Sequence, residues 1–110
     1  MNDAKITEEQ RLLASLGLCV RSGRVILGVP LICEAVRRGG KNAPLLVLEA
    51  ENTSDNTHKR LTDKCSYYGV ECVRLTVDGE RLAQALGKSG FLGAIAITDL
   101  GLTQMIKKQL

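Results

Sequence analysis

Two uninterrupted apolar runs constrain this chain more than anything else in it: Leu45-Leu46-Val47-Leu48, just after Pro44, and Ala94-Ile95-Ala96-Ile97. A strand with one wet face alternates apolar and polar residues, so four apolar positions in a row mark a strand covered on both faces. Covering both faces requires helices, and the segments between the runs supply them. Thr7-Glu8-Glu9-Gln10 fits a capping box, with Gln10 three residues after the Thr7 hydroxyl. Leu12, Leu13, Leu16, Cys19 and Val20 then recur at helical spacing until Gly23. Arg24 to Leu27 is short and β-branched, a strand. A second helix starts near Pro30, where a missing N–H costs nothing, and runs to Arg38 before Gly39-Gly40. It carries Leu31 with Ala35, and Ile32 with Val36, on one side.

The remaining elements follow the same logic. Asp55, Asn56 or Thr57 caps a helix whose Leu61, Cys65 and Tyr68 share a face, ended by Gly69. Val70 to Leu75 is a strand, Asp78 to Leu86 a helix closed by Gly87, and Lys88 to Gly93 a glycine-bracketed loop. After the fourth strand, Thr98 or Asp99 caps a last helix whose Lys107 and Lys108 suit its negative end. Helix and strand alternate throughout. That order predicts a single α/β domain over residues 1–110, a three-layer α/β/α sandwich around a four-stranded mixed sheet.

Composition narrows the function classes. The chain is 45% apolar and 25% charged, a globular balance rather than a disordered one. Its apolar runs are far shorter than the roughly 20 residues of a membrane helix. The first ten residues hold three acids and no apolar core, so they do not read as a secretory signal. The expected setting is the cytoplasm, free or on the ribosome, and the expected state is a monomer. Cys19, Cys33, Cys65 and Cys72 form no C-x-x-C pair and match no zinc spacing, so no metal is predicted; Cys19 and Cys65 read as core thiols. His58, the one histidine, lies in a polar run with no evident partner for a metal site or a catalytic pair, and reads as a surface residue. There is no G-x-S-x-G, no P-loop, no G-x-G-x-x-G and no H-E-x-x-H, which argues against an enzyme or a cofactor.

Charge points elsewhere. Between Arg11 and Lys41 lie six bases (Arg11, Arg21, Arg24, Arg37, Arg38 and Lys41) against the single acid Glu34, whereas residues 42 to 80 are net acidic. One basic stretch in a mildly basic chain suits a polyanion on one face. Within it, Arg21 and Arg24 precede a strand that enters a helix through Gly28-Val29-Pro30-Leu31. Neither Gly28 nor Val29 can cap that helix, so its first amides, backed by the helix dipole, form an anion site. The alternative is that water satisfies those amides and Gly28 only makes a turn. A second candidate is Gly87-Lys88-Ser89-Gly90-Phe91-Leu92-Gly93. There Lys88 and Ser89 can reach phosphates and Phe91 or Leu92 can pack on a base, unless the two apolar residues merely plug the end of the sheet.

The order of these pieces resembles the ribosomal protein L7Ae/L30e superfamily, especially its small bacterial members of the YlxQ kind. The residues that carry the resemblance span nearly the whole chain. They are Leu12-Leu13 through Arg21-Ser22-Gly23-Arg24, Gly28, Glu34-Ala35-Val36-Arg37-Arg38-Gly39, Leu45 to Ala50, Thr62 to Cys65 with Tyr68-Gly69-Val70, Leu86 to Ser89, and Ala94 to Asp99. The resemblance implies a non-catalytic RNA-binding domain, ribosomal or ribosome-associated, of a kind that grips the kink-turn, a sharply bent helix with sheared G·A pairs. In such relatives the glycine before the second helix and the residues after it enter the RNA groove, and the loop before the fourth strand contacts bulged nucleotides. Gly28 matches that glycine, Arg38 a phosphate-contacting base, and Lys88, Ser89 and Gly90 the loop. The archaeal pattern places Asn-Glu and then Lys where this chain has Pro30, Leu31 and Glu34, and neither Pro30 nor Leu31 can bond a base edge. The competing expectation is a protein-interaction module on the same fold, with Val29, Pro30, Leu31, Phe91 and Leu92 as an apolar patch for a protein partner.

Overall fold

A computed structural model describes residues 7–110. Its four strands, β1 (Val25–Leu27), β2 (Leu46–Glu49), β3 (Glu71–Arg74) and β4 (Ala94–Ile97), form one mixed sheet in the order β1-β4-β2-β3. β4 runs antiparallel to both β1 and β2, and β2 runs parallel to β3. The two apolar runs are thus the two central strands, and every residue of β2 and β4 is buried. The edge strands are only half-buried. A continuous apolar run selects the middle of a sheet because only there do both faces and both edges escape water.

Five helices cover the sheet: α1 (Glu8–Arg21), α2 (Val29–Arg38), α3 (Asp55–Tyr68), α4 (Gly79–Ala85) and α5 (Leu100–Lys107). Strand alternation divides the core in two. Leu46, Leu48, Ile95 and Ile97 point to one face, where Leu12, Leu16 and Cys19 of α1, Leu82 of α4 and Ile106 of α5 pack on them. Val47, Ala94 and Ala96 point to the other, against Ile32, Cys33 and Val36 of α2 and Leu61 and Cys65 of α3. Three layers result: α1, α4 and α5; the sheet; α2 and α3. α1 and α5 are tied by Gln109 Nε2, which donates to Ser15 Oγ at 2.8 Å. Thr7 and Leu110 line one surface depression with Leu12, Val73 and Leu75.

The caps show how local chemistry fixes the boundaries. Thr7 and Gln10 exchange the two bonds of the capping box, and Asp78 and Asp99 accept from Arg81 N and Leu102 N. α3 departs from expectation: its cap is Ser54, whose hydroxyl accepts from Thr57 N, one residue ahead of the predicted group. Gly69 closes α3 in the left-handed conformation. Two positions on the predicted apolar faces are exposed. Leu31 is 64% exposed and Tyr68 42%, because α2 turns Val29, Ile32, Cys33 and Val36 inward and α3 turns Leu61 and Cys65.

All four thiols are free; Cys19, Cys33 and Cys65 are buried, and Cys72 is half-buried. Burial pushes the Cys19 thiol above its ordinary value. The neighbouring Cys65 thiol, together with burial, raises the Cys72 thiol, while the Cys72 neighbour lowers that of Cys65. His58 departs from its reading as a surface residue: it is half-buried and paired. Its Nδ1 lies 2.8 and 2.9 Å from the two oxygens of Glu49, a side chain that β2 buries almost completely. A carboxylate only accepts, so Nδ1 carries the hydrogen. Thr53 Oγ1 donates to the same carboxylate.

Candidate nucleic-acid interface

The start of α2 is built as its residues dictate. Gly28 stands at φ +94°, a backbone conformation that side chains disfavour, and its N–H donates to Ala94 O at 3.0 Å. Gly28 O accepts from Ile32 N, while no side chain caps the helix. The bond to Ala94 docks this turn on the end of β4, where the glycine-rich loop arrives. A Cβ on Gly93 would meet Val29 Cγ2 at 3.2 Å and Thr53 Cγ2 at 3.5 Å. Phe91 lies against Gly79 at the start of α4, and Leu92 N donates to Gly79 O. The helix start and the Phe91–Gly93 end of the loop therefore meet. Glu49 and His58 brace this junction from behind through Thr53.

The other candidates lie elsewhere. Lys88, Ser89 and Gly90 are exposed in the part of the loop that leaves α4, where Lys88 N donates to Ala83 O, and Gly90 leads back to Phe91 and the Gly79–Leu92 contact. Arg24 and Arg38 line one cavity with Asn42 and Thr98, where Thr98 N donates to Arg24 O. That cavity is at the opposite end of β1 from Gly28. The ten residues of α2 separate the two places by about 15 Å. Arg21 ends α1 on the arginine side. Although Arg21, Arg24 and Arg38 share one basic stretch of sequence with Gly28, the structure sets them apart from it: β1 and α2 run in opposite directions, which puts Arg24 and Arg38 together and both away from Gly28. Glu34 is held by Arg37, whose Nη2 donates to its Oε2 at 2.6 Å and whose guanidinium is thereby raised in basicity.

The apolar patch expected for a protein partner is smaller than the sequence implied. Val29 is 6% exposed and Leu92 8%, leaving Pro30, Leu31 and Phe91 at the surface. Among the described residues no cluster of His, Cys, Asp or Glu could hold a metal ion, and no helix is long and apolar enough to cross a membrane.

Sequence reasoning missed a further surface. Arg60, Tyr67 and Tyr68, all exposed, form one stripe of α3 with the half-buried Lys64. The missed signal was their spacing of four, seven and eight residues along a helix.

This geometry defines a class: a small α/β/α sandwich whose exposed surfaces offer backbone amides and cations rather than a cleft lined by titratable groups. The chain belongs to the ribosomal protein L7Ae/L30e/S12e/Gadd45 family, whose model matches residues 10–106. It is 35% identical over 86 residues to the RNA-binding protein YlxQ of Bacillus subtilis (strain 168), covering 78% of this chain and 81% of that protein. It is 34% identical over 79 residues to the RNA-binding protein YlxQ of Enterococcus faecium, covering 72% of this chain and 73% of that one. Among solved structures, a protein of unknown function from Bacillus halodurans C superimposes with a TM-score of 0.79 at 25% identity, over 90% of this chain and 95% of the other. The Giardia lamblia 15.5kD RNA binding protein shares the fold at 19% identity, with a TM-score of 0.71 over 99% of this chain and 89% of its own.

Proposed function

We propose that this protein is a non-catalytic RNA-binding module that holds a structured RNA, of the kink-turn kind, in the cytoplasm on or near the ribosome. The observation that carries the reading is the docking of the uncapped α2 N-terminus, through Gly28 and Ala94, beside the loop end at Phe91 and Gly93. Gly28 and Gly93, which carry no side chain, meet there beside the open amides of α2, with Pro30, Leu31 and Phe91 at the rim, an arrangement that admits a bent phosphate chain. The relatives named as RNA-binding proteins support the same ligand class.

The arginine cluster takes a different role from the α2 start. Arg24 and Arg38 would meet phosphates about 15 Å along α2, so one RNA spans both places and gains affinity by charge neutralisation. Pro30 and Leu31 offer no base-edge donors or acceptors, so recognition at the α2 start rests on backbone and shape. The test compares a kink-turn RNA with a Watson–Crick duplex of equal length at two salt concentrations. Kink-turn preference is expected, lost when the tandem G·A pairs become Watson–Crick pairs. Arg24→Ala and Arg38→Ala should each flatten the salt dependence by about 0.7–0.9 log units per log salt. Equal affinity for the two RNAs would refute the kink-turn reading, and unchanged slopes would remove the arginines from the interface.

A further inference from the structure

The chain has two tyrosines and no tryptophan, and both tyrosines stand in the stripe on the outer face of α3. Tyr67 is 82% exposed, and its ring packs edge-on to Tyr68 with centroids 4.9 Å apart. An aromatic side chain so exposed gains nothing for the fold; its neighbours indicate what it serves. Tyr67 and Tyr68 border a depression with Arg60, Asp63 and Lys64. Arg60 and Lys64 also line the groove between α3 and α2, opposite Pro30, Glu34 and Arg37. The two hollows therefore share a basic wall and form one track from the first turn of α2 to the last turn of α3.

Charge along the track is not balanced. The acids beside it are engaged: Asp63 by Lys59 at 2.7 Å and Glu34 by Arg37 at 2.6 Å. Arg60 and Lys64 have no ion-pair partner among the described residues. They precede Tyr67 by seven and three residues, or about 10 and 5 Å along the helix. Cations beside an upright aromatic ring are what unpaired nucleotides need, a platform for a base and charge for the phosphates that flank it.

We infer that the outer face of α3 is a second RNA surface, a track on which an unpaired strand leaving the structured RNA stacks a base on Tyr67 and lays its phosphates along Arg60 and Lys64. The inference rests on the reading of the α2 start as an RNA site, because the track begins at Pro30. The partner is single-stranded RNA rather than protein: the track is cationic, and its aromatic rings stand proud instead of forming an apolar recess.

The tyrosines report on their own surface, since no other residue of the chain emits near 305 nm in their place. The experiment titrates the full chain with three RNAs: a kink-turn hairpin, the same hairpin with a single-stranded uridine tail, and the free uridine oligonucleotide. Anisotropy of labelled RNA gives affinity, and tyrosine emission gives stacking. The tail should tighten binding about tenfold and quench tyrosine emission, as base–aromatic stacking predicts. Tyr67→Ala should abolish the gain from the tail while leaving affinity for the untailed hairpin unchanged; Tyr67→Phe should keep it. A tail that neither tightens binding nor quenches emission, with the untailed hairpin still bound, overturns the track and leaves the α2 site standing. Failure to bind the hairpin overturns the α2 site instead, and quenching by the free oligonucleotide would then show that the track binds on its own. Tight binding of the tailed RNA with unchanged emission, or a full tail gain in Tyr67→Ala, also overturns the inference.

Discussion

Removing the His58 imidazole should cost the fold about 2 kcal/mol, although much of that ring is exposed. Glu49 is only 1% exposed, and among the described residues its carboxylate is held by His58 Nδ1 and Thr53 Oγ1 alone. Removing one partner of a fully buried ion pair costs about 3–5 kcal/mol, because a bare charge remains. The His58 side chain is 38% exposed, so its loss would open a path for water to the carboxylate. That lowers the cost to the range of one charge-assisted hydrogen bond, about 1.5–3 kcal/mol. For a chain of this size the melting temperature should fall by about 8 °C. Glu49→Leu should cost less than His58→Ala, since it removes the charge together with its need for a partner. Once Glu49 is Leu, adding His58→Ala should change little. Urea unfolding of the four proteins, followed by circular dichroism, gives the coupling energy, which should lie near 2 kcal/mol. If His58→Ala alone stays within about 0.5 kcal/mol of the wild type, or the two costs simply add, the carboxylate does not depend on the imidazole and the reasoning fails.

Other outcomes follow from single positions. Gly28→Ala meets no atom within 4 Å but must hold φ near +94°, so it should lose about 1–3 kcal/mol to backbone strain, measured by thermal melting. Ile32→Ala should cost about 2–5 kcal/mol and its neighbour Leu31→Ala less than about 0.5, since Ile32 is 0% and Leu31 64% exposed; urea midpoints check the contrast. Cys19, fully buried, has its thiol raised above 9.0 in the folded state, so above about pH 9 the unfolded chain releases a proton that the folded chain keeps. Stability should therefore fall as pH rises beyond that point, and Cys19→Ala should flatten the decline in urea midpoints measured from pH 8 to 10.

Much of the fold was legible because its signals are local. The capping box at Thr7 and Gln10, the aspartates before α4 and α5, and the two apolar runs all act within a few residues. Each therefore survives whatever the rest of the chain does. What stayed hidden depends on contacts between segments. Glu49 follows an apolar run and looks like its polar end, yet two-residue alternation carries it inward beside Val47, where only the return of α3 brings His58 to it. Charge misled for the same reason. Residues 42 to 80 are acid-rich in sequence, but Glu49 is buried, Glu71 pairs with Lys107, and Asp63 is held by Lys59. The surface they leave on α3 is cationic. The arginines before β1 likewise seemed to flank Gly28 because they are near it in the chain; a strand carries them to the other end of the sheet.

The bond between Ser15 and Gln109, together with the hollow shared by Thr7 and Leu110, gathers the first and last helices on one side of the sheet. Anything fused after Leu110, whether a tag, a fluorescent protein or a surface anchor, would start behind the sheet, on the side away from the layer of α2 and α3. The molecule can thus be immobilised through Leu110 without shading the surfaces on which RNA is proposed to lie.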